Sequence, residues 1–395
     1  MIREIKQGTK YIGKKAAICL YRIMNGILPV KQDIIVFNAS MGRNYTGNCR
    51  YIYENMVEAG LDKKYKCVWF FRNTNIELPG QARIVKYARI KYLYYMAIAK
   101  TWVFDCRQPG FLKKKEQVTY IQTWHGTPLK KLALDMDDVF MVNGKNIEEY
   151  KNNFKKNAET WDYLISQNPF STETFRRCFD FKKTMLEIGY PRNDMLVNQN
   201  DEESILSLKQ HFQLPIDKKI ILYAPTWRDD EYDKNGTYKF CPKLDFDLLK
   251  ENLQSEYVMI VKYHYLVEEA LDWSSYEGFI YHFDDDITQM YLVSDILITD
   301  YSSVMFDFSV LKRPMFFYCY DLEKYKNQLR GFYFDFQKEA PGPISQTTDQ
   351  LLCDLNDYNK EKYEARYQRF YERYNPWDDG RASEKVAQLM ESINK

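Results

Sequence analysis

Short apolar runs separated by stretches with helical spacing recur along most of this chain, and they fall into two series. In the first, Ile34–Asn38, Val68–Phe71, Trp102–Phe104, Val118–Gln122 and Tyr163–Ser166 are predicted strands, with helical patterns around 48–60, 88–98, 145–155 and 170–179. In the second, Lys219–Ala224, Tyr257–Lys262, Phe279–Phe283, Asp295–Thr299 and Pro314–Tyr318 are predicted strands, separated by helices near 245–253, 287–293, 303–311 and 321–327. Strands that are apolar throughout, alternating with helices, predict parallel sheets covered on both faces. Two such series predict an α/β chain of two Rossmann-like domains facing each other across a cleft. The polar stretch Asn198–Ser204 is the expected boundary, giving domains over 30–200 and 201–375. A last helix, Ala382–Ile393, lies in a tail (376–395) that is a candidate to cross back onto the first domain.

Residues 1–29 follow another pattern. Ile2, Ile5, Ile12, Ala16, Cys19, Leu20 and Ile23 recur at helical intervals among Arg3, Lys6, Lys10, Lys14, Lys15 and Arg22, and Pro29 ends the segment. A basic amphipathic helix of this kind suits an anionic membrane surface. A second stretch, Ala82–Lys100, mixes Arg83, Lys86, Arg89 and Lys91 with Tyr87, Tyr92, Tyr94 and Tyr95, and Phe111-Leu112 followed by Lys113–Lys115 forms a third. Both are expected to join the membrane contact. No apolar run approaches the roughly 20 residues of a membrane-spanning helix.

Composition narrows the field. A net charge of +1 argues against a nucleic-acid binder. The eight cysteines are scattered singly, with no CxxC pair, so neither a zinc site nor a disulfide framework is expected. Phosphate-loop, nucleophile-elbow, HExxH and GxGxxG signatures are all missing. The acids Asp135, Asp137 and Asp138, and the run Asp284–Asp286, read as solvated loop residues, and no metal or cofactor is required.

The candidate chemistry lies where strands end, which is where open parallel sheets bind ligands. His125 follows the fourth run in Gln122-Thr-Trp-His-Gly-Thr-Pro128, where Gly126 and Pro128 force a turn. Spacing alone leaves it either a base for a hydroxyl proton or a histidine satisfied by backbone. Lys262 and His264 share one side of an extended chain and suit a diphosphate, unless the lysine is simply solvated. Arg228, in Ala224-Pro-Thr-Trp-Arg-Asp229, has the fork to grip a phosphate or to join a salt bridge. In Thr299-Asp-Tyr-Ser-Ser-Val-Met-Phe-Asp307, Ser302 or Ser303 is a natural helix cap beside an anion site, and Asp307 is placed to meet a ribose hydroxyl. The alternative is an ordinary capped helix.

Taken in order, these segments resemble the CDP-glycerol glycerophosphotransferases, the family of teichoic-acid primases and polymerases. The matching stretches are Gln122–Lys130, Gly189-Tyr-Pro-Arg-Asn-Asp194, Ala224–Asp229, the Lys262/His264 pair, Thr299–Ser303 with Asp307, and Arg330-Gly-Phe-Tyr333. The resemblance spans roughly 33–375. It implies a GT-B-like pair of domains with the nucleotide held mainly by the second. It further implies catalytic roles for His125, as base, and His264, with substrate contacts from Thr127, Arg228, Lys262, Thr299, Ser302, Ser303, Asp307 and Arg330. The implied donor is CDP-glycerol and the implied acceptor is linked to undecaprenyl diphosphate at the cytoplasmic face of the membrane, with CMP released. Ribitol phosphate transfer, or nucleotide-sugar glycosyl transfer on the same plan, are the alternatives. Only about 30 residues precede the first strand, so a primase or short-chain extender is expected over a long-chain polymerase.

Overall fold

A computed structural model describes residues 2–138, 146–226, 228, 238–239, 243–263, 267–268, 272–324 and 331–394, without the side chains of residues 2–12, 238–239, 267–268 and 324. Its fold is built on two parallel sheets. The first contains β1 (Lys31–Asn38), β2 (Lys66–Phe71), β3 (Arg83–Lys86), β4 (Ala99–Phe104), β5 (Thr119–Gln122), β6 (Tyr163–Ser166) and β7 (Thr184–Glu187), in the order β3-β2-β1-β4-β5-β6-β7. The second contains β8 (Lys219–Ala224), β10 (Tyr257–Val261), β12 (Ile280–Tyr281), β13 (Ile296–Thr299), β14 (Met315–Tyr318) and β15 (Ile344–Ser345), in the order β12-β10-β8-β13-β14-β15. Two short strands, β9 (Tyr238–Lys239) and β11 (Val267–Glu268), pair apart from both. Central strands are apolar throughout because helices cover both faces: Ile34 to Phe37 and Ile220 to Ala224 are all buried.

In each sheet the strand order reverses beside the first strand, between β1 and β4 and between β8 and β13. Loops diverge at such a point and leave a crevice at the carboxyl ends. The edge strands β3, β7 and β15 were not expected from the sequence. Polar, half-exposed positions interrupt β3 and β7, and β15 is only two residues long.

The helix Ala382–Ile393 packs on the first sheet, where Val386, Ala387 and Met390 join a core with Ile35, Phe37 and Trp69. The Asp194 carboxylate accepts the amides of Ala382 and Ser383 and so fixes that helix's start. The helix Lys360–Tyr374 belongs to the second core, with Phe370 and Tyr374 against Phe306.

The α1 helix (Ile2–Ile27) packs one face on the first domain. Ala17, Tyr21, Met24 and Leu28 face the first domain, and Tyr21 Oη donates to Lys113 O at 2.8 Å. The expected apolar positions Ala16, Cys19 and Ile23 lie on the open side, away from that core. The stretch Ala82–Lys100, by contrast, is not an interfacial aromatic patch. It supplies β3 and α3 (Ile90–Ile98), and Tyr92, Leu93, Tyr95 and Met96 are core residues, as is Leu112 of the third stretch. Tyrosine fills a core and flanks a headgroup layer equally well, so composition misplaced it. Among the described residues no helix is long and apolar enough to cross a membrane.

Candidate active site

The loop after β5 carries His125. Thr123 N donates to Phe104 O, and the Gln122 side chain accepts from Trp124 N at 3.0 Å, so the turn is tied to the strand ends. Asn48, at the start of α2 (Gly47–Glu58), donates to the carbonyls of Thr123 and Trp124. Trp124 holds a left-handed φ of 51°, an unfavourable conformation for a bulky residue, sustained by its packing on Phe154, Phe175 and Phe179. The His125 ring stacks on Trp124 at 4.4 Å between centroids and is exposed.

His125 Nδ1 lies 3.0 Å from the backbone carbonyl of Asp105. A carbonyl only accepts, so Nδ1 carries the proton and Nε2 keeps its lone pair. The enclosing protein lowers the imidazole's pKa from its usual value, the Asp105 carboxylate opposes this, and Arg192 and Arg107 reinforce it. The net direction favours a neutral ring, ready to take a proton. Asp105 was not singled out from the sequence. The signal was an acid directly after an apolar strand, β4. Its carboxylate accepts Ser40 N at 3.0 and 2.9 Å, across the crevice between β1 and β4.

The second domain meets this loop directly. A Cβ added to Gly126 would stand 2.8 Å from Ser303 Oγ and 3.1 Å from Ser303 Cβ, so a side chain there would force Ser303 to shift. Arg192, from the Gly189–Asp194 segment, donates to His125 O at 3.1 Å and to Asp307 Oδ2 at 2.6 Å, linking the two domains beneath the turn. Asp286, expected in solvent, is buried and accepts from Thr46 and Gly47 at the start of α2. Gly331–Tyr333 runs along Leu129–Leu132: Lys130 and Phe332 form an antiparallel bridge, and Tyr333 Oη accepts from Leu132 N.

The residues expected to hold substrate divide sharply. Ser302 and Ser303 are half-exposed at the cleft, although Ser303, at the N-cap, makes no side-chain cap bond. Others are consumed internally. Arg228 is buried, with Nε and Nη2 on Asp321 and Nη1 on Asp300 and Thr226 O. Asp307 is sealed against Arg192 rather than open to a ribose. Thr299 donates to Ala224 O, and Thr127 is buried among Gln167, Asn168 and Ser171. Lys262 donates to Phe283 O at 2.6 Å and Asp285 O at 3.0 Å, and burial lowers its pKa. His264, Arg330 and Trp227 lie outside the described residues. Asp135 and Asp137 pair with Arg177 and Lys131. Among the described residues no cluster of three or more His, Cys, Asp or Glu is arranged to hold a metal.

Two Rossmann-like domains meeting at a seam define a GT-B-like fold. The same fold, at 11% identity and a TM-score of 0.52, occurs in a solved structure of S. aureus MnaA with UDP, covering 91% of this chain and 97% of that one. More specifically, the chain belongs to the CDP-glycerol:poly(glycerophosphate) glycerophosphotransferase family, whose model matches residues 20–392.

A solved wall teichoic acid polymerase, TagF, superposes with a TM-score of 0.89 at 40% identity, over 100% of this chain and 97% of that one. The teichoic acid poly(glycerol phosphate) polymerase of Bacillus subtilis is 46% identical over 99% of this chain, which spans only 53% of that relative. A polymerase of the same description from Bacillus spizizenii is 46% identical over 94% of this chain and 95% of its own length. The teichoic acid glycerol-phosphate transferase of Staphylococcus aureus is 42% identical over 92% and 94%.

Proposed function

We propose that the protein transfers glycerol phosphate from CDP-glycerol to the terminal hydroxyl of a lipid-linked acceptor and releases CMP. The observation that carries this reading is the His125 imidazole: proton on Nδ1, lone pair on Nε2, exposed on a turn that abuts Ser303. Nε2 takes the acceptor's hydroxyl proton as that oxygen attacks the phosphorus bearing glycerol. The bond from that phosphorus to the bridging oxygen breaks, and its electron pair leaves with CMP. Such a displacement depends on positioning and charge stabilisation more than on covalent help from the protein. The Ser302 and Ser303 hydroxyls, with His264 and Arg330 by resemblance, are the candidates for the donor side.

Glycerol phosphate polymerases and the glycerol-phosphate transferase are 42–46% identical to this chain, whereas a glycerol-phosphate primase is 30% identical and relatives named for ribitol phosphate are 27–30% identical. That difference supports glycerol over ribitol. The Bacillus spizizenii polymerase is covered over 95% of its length, so a chain of this size is no argument for a primase. Chain extension is therefore the preferred form of the reaction. Incubating the protein with CDP-glycerol or CDP-ribitol and a glycerol phosphate-terminated acceptor tests it. CMP release and a product one glycerol phosphate heavier are expected; CDP release, or a ribitol product alone, would reject it.

The open face of α1 supports attachment at the cytoplasmic membrane surface. Ile23 and Ile27 are 53% and 73% exposed, and Ile90 of α3 is 68% exposed, with Lys14, Arg22 and Lys91 nearby in sequence. Binding to anionic liposomes should weaken as salt rises, because screening acts on the basic groups. Equal binding to neutral vesicles would count against it.

A further inference from the structure

Arg107 stands in the loop after β4, two residues beyond the Asp105 carbonyl that holds His125. Its guanidinium carbon lies 4.0 Å from the Phe154 ring centroid and 5.4 Å from that of Tyr150. Phe154 in turn packs on Trp124, the residue that His125 stacks upon. Burial against these rings pushes the guanidinium's pKa down, and its field reaches His125. Among the described residues no carboxylate pairs with Arg107 and it donates no hydrogen bond, whereas Arg192 is held by Asp307, and Arg228 by Asp300 and Asp321. A desolvated cation without a counter-ion is costly. Where it sits at the carboxyl edge of a parallel sheet, beside a candidate base, an anionic ligand is the natural means of offsetting that cost.

We propose that Arg107 binds a phosphate of the acceptor, next to the hydroxyl presented to His125, and so selects acceptors that already end in a polyol phosphate. This rests on the reading of the cleft as a glycerophosphotransferase site. Positions along the sheet agree with it. The strands β2, β1, β4 and β5 are consecutive neighbours, about 4.8 Å apart, and their ends lead into Arg72, Arg43, Arg107 and His125 respectively. A chain of phosphodiesters running back from His125 along that edge meets arginine side chains in succession.

The test uses two soluble acceptors with the same aglycone, one ending in glycerol phosphate and the other in glycerol joined by an ether without phosphate. In Arg107→Ala the ratio of their kcat/KM values should fall by about tenfold or more, the worth of one charge-assisted contact. Arg107→Lys should restore part of the ratio, since it keeps the charge and loses the fork. Equilibrium binding of the phosphate-bearing acceptor without CDP-glycerol should weaken by a similar factor. An unchanged ratio, or equal losses with both acceptors, overturns the proposal. Were the wild type to release no CMP at all, the transfer reading would fail, while the binding difference would still decide the role of Arg107. Removing the charge should also raise His125's pKa and move the acid limb of kcat/KM upward, which a purely packing role would not do.

Discussion

The two crevices where the sheets reverse are built alike and used differently. In the first, Asp105 after β4 accepts an amide from Ser40, in the loop after β1. In the second, Asp300 after β13 accepts an amide from Thr226, in the loop after β8. The same clasp closes both switch points. Asp300 is then neutralised by Arg228, which also takes Asp321 and locks three loops together. Asp105 has no arginine partner among the described residues, and its neighbour is His125. One crevice is thus a finished structural joint, and the other keeps an imidazole and a guanidinium uncommitted. Polar residues at strand ends are not interchangeable evidence for ligand binding: a charge with all its partners inside the protein has little left for a substrate.

The comparison breaks most visibly at His125. His125→Ala should lower kcat by at least about a hundredfold, the usual weight of a general base, with the melting temperature unchanged. A loss below about fivefold would remove the imidazole from the proton's path. Arg228→Ala should act on the other side of the contrast. It leaves the buried Asp300 and the half-buried Asp321 without their cation and should cost roughly 3–5 kcal/mol in denaturant unfolding. Near-native stability with a raised KM for CDP-glycerol would return Arg228 to the donor site.

Smaller effects sharpen the picture. Arg192 and Asp307 should show a coupling of roughly 0.5–3 kcal/mol in a double-mutant cycle on stability, since each is the other's buried partner. Additive losses would mean the seam is held elsewhere. The pH profile gives the smallest signal. A lowered His125 pKa leaves the ring neutral at pH 7, so activity should persist on acidification and fall only as pH drops through that lowered value, below the ordinary 6.5. An acid limb above 6.5 would mean that the Asp105 carboxylate outweighs burial.

Much of the architecture could be read from the chain because parallel strands covered on both faces leave continuous apolar runs, and both series stand out. The edge strands β3 and β7 escaped notice because a half-covered strand lacks that run. The helix Lys360–Tyr374, read only as an aromatic-rich stretch, buries just Phe370 and Tyr374 fully and carries charge on most other positions. His125 was legible from its turn, and its motif neighbours were legible as a set, but their duties were not.

Local sequence determined the strand runs, the glycine turn that presents His125, and the polar motifs at strand ends, since each depends on residues within a few positions of one another. Tertiary structure alone decided which charges are spent. Arg192 finds Asp307 and Arg228 finds Asp300 across 115 and 72 positions of chain, while Arg107 meets aromatic rings instead of an acid. Whether a buried charge is a clamp or a binding group depends on what folds against it, and no spacing along the chain encodes that.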